Sequence, residues 1–177
     1  MVGGGAVAAE DQGIGNMGIE DVPQLPGTYA LIFWVKEARW MQIGRLGEFR
    51  IPPGWLVYVG SARGPGGLSA RLARHLRHPK PSVWHVDFLR PVARPTAIWW
   101  ATGTDRWECL WAAALGQMAG ASRPIPGFGS SDCHCPAHLF HFPEPPEREL
   151  FARLAGAEGI AEVNIRRNCS GRPANSR

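Results

Sequence analysis

The hydrophobic pattern divides the chain into short, sharply bounded pieces. Residues 27–35 (GTYALIFWV) are apolar at odd and even positions alike, which predicts a central strand covered on both faces. Glu37 and Ala38 turn it into residues 39–44 (RWMQIG), a second strand, and residues 48–51 add a short third piece. Pro52, Pro53 and Gly54 punctuate the chain before residues 55–61 (WLVYVGS), again a strand. After a turn containing Gly64, Pro65, Gly66 and Gly67, the period changes. Leu68, Leu72 and Leu76 recur every four residues, the buried stripe of a helix over residues 68–78 that Pro79 ends. Arg71, Arg74, His75 and His78 fall on its other faces.

Further on, residues 83–89 (VWHVDFL) alternate and read as a strand, as do residues 96–102 (TAIWWAT). On that alternation His85 and Asp87 share one strand face. Trp107, Leu110, Trp111, Ala114, Leu115 and Met118 have helical spacing within residues 105–118. A loop rich in Ser, Gly and Pro spans residues 120–132. Residues 138–142 (HLFHF) form a last strand, and residues 146–155 a last helix with Leu150 and Leu154 inward. The expected fold is α+β, a small, mostly antiparallel sheet flanked by helices, with an extra hairpin between the two Tyr-bearing strands. Its domain covers residues 23–157 and its first strand starts near Pro26. Residues 1–22, rich in Gly and Ala, and the polar, basic residues 158–177 are expected to be disordered ends.

Composition is consistent with this picture and adds to it. A chain of 177 residues suits one domain, and a hydrophobic share of 45% fills one core. Cys109, Cys133, Cys135 and Cys169 make no regular disulfide framework. No basic start leads into an apolar run, and no stretch is long and apolar enough to span a bilayer. The expectation is a soluble, cytoplasmic protein with reduced thiols and no membrane partner.

The net charge of +4 is only mildly basic, but its distribution is uneven. Arg63, Arg71, Arg74, Arg77, Lys80, Arg90 and Arg94 fall in one segment that contains a single acid, Asp87. Such a block serves phosphate binding or simply a solvated helix face, and charge alone does not choose between them.

The candidate chemistry rests on two strand-borne tyrosines and a basic helix. Gly27-Thr28-Tyr29 opens one strand, and Tyr58-Val59-Gly60 lies near the end of another. The helix that follows presents Arg71 and His75 one turn apart. Glu108 sits in the first turn of the next helix. Taken singly, each has a plainer reading. Strand tyrosines are usually core residues, Arg71 is a surface residue, and Glu108, three residues after Asp105, suits a capping box.

Together, and in this order, GTY at 27–29, YVGSARGPGGLSARLARHLR from Tyr58 and the following Glu108 resemble the GIY-YIG nuclease superfamily. The likeness extends from about residue 27 to residue 142. It is closer to the Uri-type branch, whose function is unassigned. That branch shares the VWHVDFL stretch, the helix start at Glu108-Cys109-Leu110 and the segment GFGSSDCHCPAHLF at 127–140, and it also has the extra stretch between the tyrosine motifs, about residues 44–54. The resemblance implies a metal-dependent endonuclease that hydrolyses phosphodiester bonds, acting on DNA in preference to RNA, in a DNA-repair context with repair proteins as partners. Tyr29 would assist the attacking water, with Tyr58 sharing the proton network and Arg71 together with the metal lowering the phenol's pKa. Arg71 would also fork onto the phosphate and His75 contact it or move a proton. Glu108 would hold one Mg2+ or Mn2+ ion. Arg63, Arg74, Arg77 and Lys80 would bind nucleic acid, with His85 and Asp87 secondary candidates. The alternatives are a non-catalytic nucleic-acid-binding module of the same fold and a zinc-stabilised interaction domain.

Cys133, Cys135 and His138, with His134 between the thiols and Cys109 able to join from the helix, have ligand types that suit zinc. Their spacing is not that of a standard finger. The favoured reading is a loop held by hydrogen bonds from Ser130, Ser131 and Asp132, with zinc the less favoured one.

Overall fold

The computed structural model describes residues 19–77, 82–157 and 159–165. Strand β1 (Gly27–Val35) runs through the middle of a five-stranded sheet and is buried along nearly its whole length, as its unbroken apolar run predicts. Strand β4 (Gly54–Ala62) pairs with it on one side and β5 (Ala93–Thr102) on the other. Strand β6 (Leu139–Phe142) extends the sheet beyond β4, and β7 (Ala161–Asn164) extends it beyond β5. All these pairings are antiparallel. Strands β2 (Arg39–Ile43) and β3 (Gly47–Ile51) form a separate hairpin between the tyrosine-bearing strands. Positive φ values of +49° at Gly44 and +115° at Gly47 let it reverse, and fully buried Ile43 and Ile51 fasten it to the core.

Alternation along β1 divides the interior in two. Tyr29, Leu31, Phe33 and Val35 face helix α1 (Gly67–Leu76), the hairpin and the loop around Phe128. Ala30 and Ile32 face helices α2 (Glu108–Gln117) and α3 (Arg148–Ala155). Each fully buried Leu, Ile or Phe side chain contributes roughly 1.5–3 kcal/mol through apolar area removed from water. The fold is therefore the expected α+β architecture with the extra hairpin. No helix of the described residues is long and apolar enough to cross a membrane.

Several local expectations fail for identifiable reasons. Residues 83–89 are not a strand but contain a 3-10 helix, His85–Leu89. The Asp87 carboxylate accepts the N–H groups of Val83 and Trp84 at 3.1 Å each, which closes a turn and competes with an extended ladder. Val86 and Leu89, one 3-10 turn apart, are its buried apolar residues, and Asp87 is buried with them. His85 and Asp87 accordingly do not share a face.

The described chain begins at Ile19, with a 3-10 turn over Ile19–Asp21, and Val22 is buried in the core although it falls in the expected leader. Strand β7 lies inside the expected tail, where Val163 enters the core opposite Ile98. On α3 the fully inward residues are Phe151 and Ala155, with Leu150 and Leu154 flanking them. Helix α2 starts three residues later than its periodicity suggests.

Candidate active site and cysteine cluster

Both tyrosines depend on glycines that leave space for their rings. Gly60 lies opposite Tyr29 in the β1–β4 register. A Cβ at Gly60 would stand 2.5 Å from the Tyr29 hydroxyl oxygen, a separation real Cβ atoms do not adopt. Gly129, at φ +72°, does the same for Tyr58, whose ring edge would be 2.7 Å from an added Cβ. Gly27 admits the side chain of Leu68, which would lie 2.7 Å from a Cβ there, and so lets α1 approach the sheet. Gly60 and Gly129 are thus packing requirements of the tyrosine pocket, and Gly27 one of the contact between α1 and the sheet.

Helix α1 then brings an imidazole into that pocket. His75 is seven residues after Leu68 and three after Leu72, so it lies on their buried stripe rather than on an outer face, and is 4% exposed. Its Nε2 is 2.7 Å from the hydroxyl oxygen of Tyr29, itself 1% exposed. The Tyr29 and Tyr58 ring centroids are 6.5 Å apart, and that of Tyr58 is 6.3 Å from His75. Trp84 packs edge-on against His75 at 5.2 Å and supports Arg71 at 4.3 Å and Arg74 at 3.7 Å above its ring. Cation–π contacts of this kind are worth about 0.5–1 kcal/mol when exposed. Trp84 was missed in the sequence because its stretch reads as a strand, although an aromatic beside an arginine-bearing helix was a usable sign. Phe128, 5.8 Å from Tyr58, was missed as well.

Charges converge on the two phenols. Burial pushes the Tyr29 pKa well above its ordinary value; Tyr58, Glu108 and Asp87 add to this and Arg71 opposes it. Burial likewise raises Tyr58 to about 12, with Arg71 opposing and Asp132, Asp87 and Glu108 adding. Arg71 and Glu108 therefore act on both rings, as a shared site requires. Arg71 by itself does not draw either phenol down toward neutrality, because desolvation outweighs it.

Glu108 does not cap α2. The helix begins at Glu108 itself, Trp107 at the cap position makes no side-chain cap bond, and Asp105 is exposed. Glu108 therefore occupies the first helical position, not the third that a capping box needs. Its Oε2 atom is buried and has no hydrogen-bond partner. A buried, unpartnered carboxylate oxygen is unfavourable unless a cation takes it, and a hard divalent ion of the Mg2+ or Mn2+ type suits that donor.

The remaining candidates divide by what they touch. His85 accepts the Gly129 N–H on Nδ1 at 3.1 Å, and burial lowers its pKa. Asp87, besides closing the turn at Val83 and Trp84, faces Arg74 at 3.6 Å. Arg74 thus has an ion pair and a ring contact within the protein, while its side chain stays partly exposed beside Arg71. Arg90 donates to the carbonyl oxygens of His75 and Arg77 and ties down the end of α1. Arg63 and Arg77 are exposed at the start and end of that helix. Lys80 lies outside the described residues, as does Cys169.

The other grouping is the cysteine cluster. Cys109 in the first turn of α2, Cys133 and Cys135 in the following loop, and His138 before β6 place their ligand atoms all within 4.8 Å of one another. This set is able to hold a metal ion, and its thiolates and imidazole favour zinc over magnesium. Of the loop hydrogen bonds expected from Ser130, Ser131 and Asp132, those of Ser130 are made by its backbone, its N–H to Gly127 O and its carbonyl accepting from Cys133. The loop closes through backbone bonds, Gly127 N–H to Pro136 O at 2.8 Å and His138 N–H to Phe128 O at 2.7 Å. Those bonds direct Cys133, Cys135 and His138 toward Cys109. Glu108, the chain neighbour of Cys109, acts electrostatically on Cys109 and His138 as well as on the two phenols, so the two groupings adjoin.

No curated protein and no solved structure matches the chain. A family model does match, over residues 28–158, and its span takes in both tyrosines, Arg71, His75, Glu108 and all four members of the cysteine cluster. The chain belongs to the family described as Domain of unknown function DUF123.

Proposed function

We propose that the chain is a metal-dependent nuclease of GIY-YIG type, which hydrolyses nucleic-acid phosphodiester bonds at the Tyr29–Tyr58–His75–Arg71–Glu108 site. The observation that carries this reading is the meeting of a buried tyrosine–histidine pair, 2.7 Å apart, with a guanidinium and a carboxylate that both act on the two phenols. The buried, unpartnered Oε2 of Glu108 supports a cation at this place. The resemblance of the GTY, YVG and Arg-x-x-x-His segments to the superfamily supports the same assignment.

In this proposal Arg71 holds the scissile phosphate by a charge-assisted fork, and the Trp84 ring keeps its guanidinium in place. The Tyr29 hydroxyl passes a proton to His75 Nε2 as it takes one from the attacking water, so that a phenol with a high pKa never has to stand as a free phenolate. Tyr58 completes the pocket beside them. Glu108 would hold one Mg2+ or Mn2+, whose chemistry is to polarise a phosphate oxygen and offset charge on the leaving oxygen. Arg63 and Arg77 extend the basic surface along α1, and DNA is the proposed polyanion, in a repair setting.

The test is incubation with plasmid, single-stranded and branched DNA in Mg2+ or Mn2+. Cleavage is expected from the wild type. Glu108→Ala should lower the rate by roughly 10²–10³ while leaving DNA binding in place, since loss of one preorganised charge typically costs that much. Arg71→Ala should weaken both binding and turnover. Wild-type rates in both variants would remove the assignment. Binding without cleavage, untouched by Glu108→Ala, would establish a non-catalytic nucleic-acid-binding module instead.

A further inference from the structure

We propose that Cys109, Cys133, Cys135 and His138 hold one zinc ion in a closed, four-ligand site that clamps the 127–138 loop onto the first turn of α2. The geometry matches a single tetrahedral ion. With Zn–S near 2.3 Å and Zn–N near 2.05 Å, tetrahedral ligands stand about 3.8 Å apart for two sulfurs and about 3.6 Å for sulfur and nitrogen. The Cys133 Sγ to His138 Nε2 distance is 3.4 Å, and every ligand atom lies within 4.8 Å of the others. The small adjustment to the ideal edge is within reach of side-chain rotation, because Cys109, Cys133 and Cys135 are not fully buried. A two-iron cluster would spread its cysteines over two metal centres and needs a wider ligand set.

Four protein ligands leave no position for water, which marks a structural rather than a catalytic zinc. This ion is therefore distinct from the hard divalent ion proposed for Glu108. Its structural task is visible in the fold. Helix α2 begins without a side-chain cap, and Cys109 stands in that uncapped turn. His138 donates its N–H to Phe128 O, and its own carbonyl accepts the Val59 N–H, so the fourth ligand is anchored to β4. The clamp thus joins the start of α2 to the edge of the sheet that carries Tyr58. Glu108, one residue before Cys109, would be held in position by the same ligation. The zinc assignment itself does not depend on the nuclease reading.

Elemental analysis of the full chain purified under reducing conditions should find about one zinc per chain. Stripping with a chelator and reloading with Co2+ should produce tetrahedral visible bands with thiolate charge transfer, unchanged by added azide because the site is closed. Cys135→Ser should weaken the bound ion in chelator competition by an order of magnitude or more, whereas Glu108→Gln should retain it. If Cys135→Ser fails to fold, zinc release from the wild type into a chromogenic chelator gives the stoichiometry without any variant. A chain that stays metal-free after reduction and zinc addition overturns the proposal. So does iron with a sulfide-type visible spectrum, a disulfide within the cluster, or a Co2+ spectrum that shifts with azide.

Discussion

The two faces of the central sheet are made by the same strands and differ in kind. Against α2 and α3 the contact is almost wholly hydrocarbon. Ala30, Ile32, Val57, Val59 and Trp99 pack on Trp111, Leu115 and Phe151, and the Phe151 ring lies 5.2 Å from Trp99 and 5.1 Å from Trp111. Against α1 the contact is mixed. Leu31, Phe33, Leu68 and Leu72 surround Tyr29 and His75, whose hydroxyl and Nε2 pair away from water, and half-buried Tyr58 packs beside them. One face is built for burial. The other has given up part of that burial to hold chemistry, at places where a glycine is needed to make the space.

This contrast can be broken most directly on the hydrocarbon side. Trp111 is fully buried, and Trp111→Ala should destabilise the fold by about 3–5 kcal/mol, read as a drop in the urea midpoint. A loss below about 1 kcal/mol would mean that this face does not carry the stability of the domain.

Gly60→Ala tests the polar side with a smaller expected effect. The added methyl meets the Tyr29 hydroxyl and should cost about 1–3 kcal/mol by overpacking. It should also abolish cleavage by displacing the phenol from His75. A variant of wild-type stability and activity would show that Gly60 does not set the position of Tyr29.

The mildest effect is confined to alkaline pH. Tyr29 and Tyr58 are the only two tyrosines of the chain, so the phenolate absorbance band reports on them alone. Their folded pKa values are raised, Tyr58 to about 12 and Tyr29 well above its ordinary value, whereas an unfolded tyrosine titrates near 10. The fold binds these protons more tightly than the unfolded chain does. Their contribution to stability is therefore complete below about pH 10 and declines as pH rises toward 12. Phenolate should appear only as the fold is lost, and a phenol titrating freely near pH 10 in the native protein would contradict the buried pair.

Much of the scaffold was legible in the sequence. The unbroken apolar run of β1, the changes of period at α1 and α2, and the Pro and Gly punctuation around the hairpin are local signals that the tertiary structure had no reason to override. The stretch 83–89 was misread because its alternation also fits Val86 and Leu89 at 3-10 spacing, and the carboxylate of Asp87 settles the choice by binding the backbone of its own turn. Strand β7 was missed because four residues, AEVN, carry too little pattern, and only the open edge of β5 makes them a strand.

At the candidate sites, sequence determined which groups are present: two phenols, an Arg and a His one turn apart, a Glu beside a Cys, and a CxC-xx-H loop. It determined their order and, through Gly60 and Gly129, where a ring would have room. Only the tertiary structure decided which of them meet. His75 turns inward to Tyr29, Arg74 is taken up by Asp87 and Trp84, and Cys109 joins thiols more than twenty residues away. The physical reason is that polar pairing and metal-type clustering depend on distances of a few ångströms between elements remote in the chain. Local periodicity encodes which face of an element is buried, but not what awaits it there.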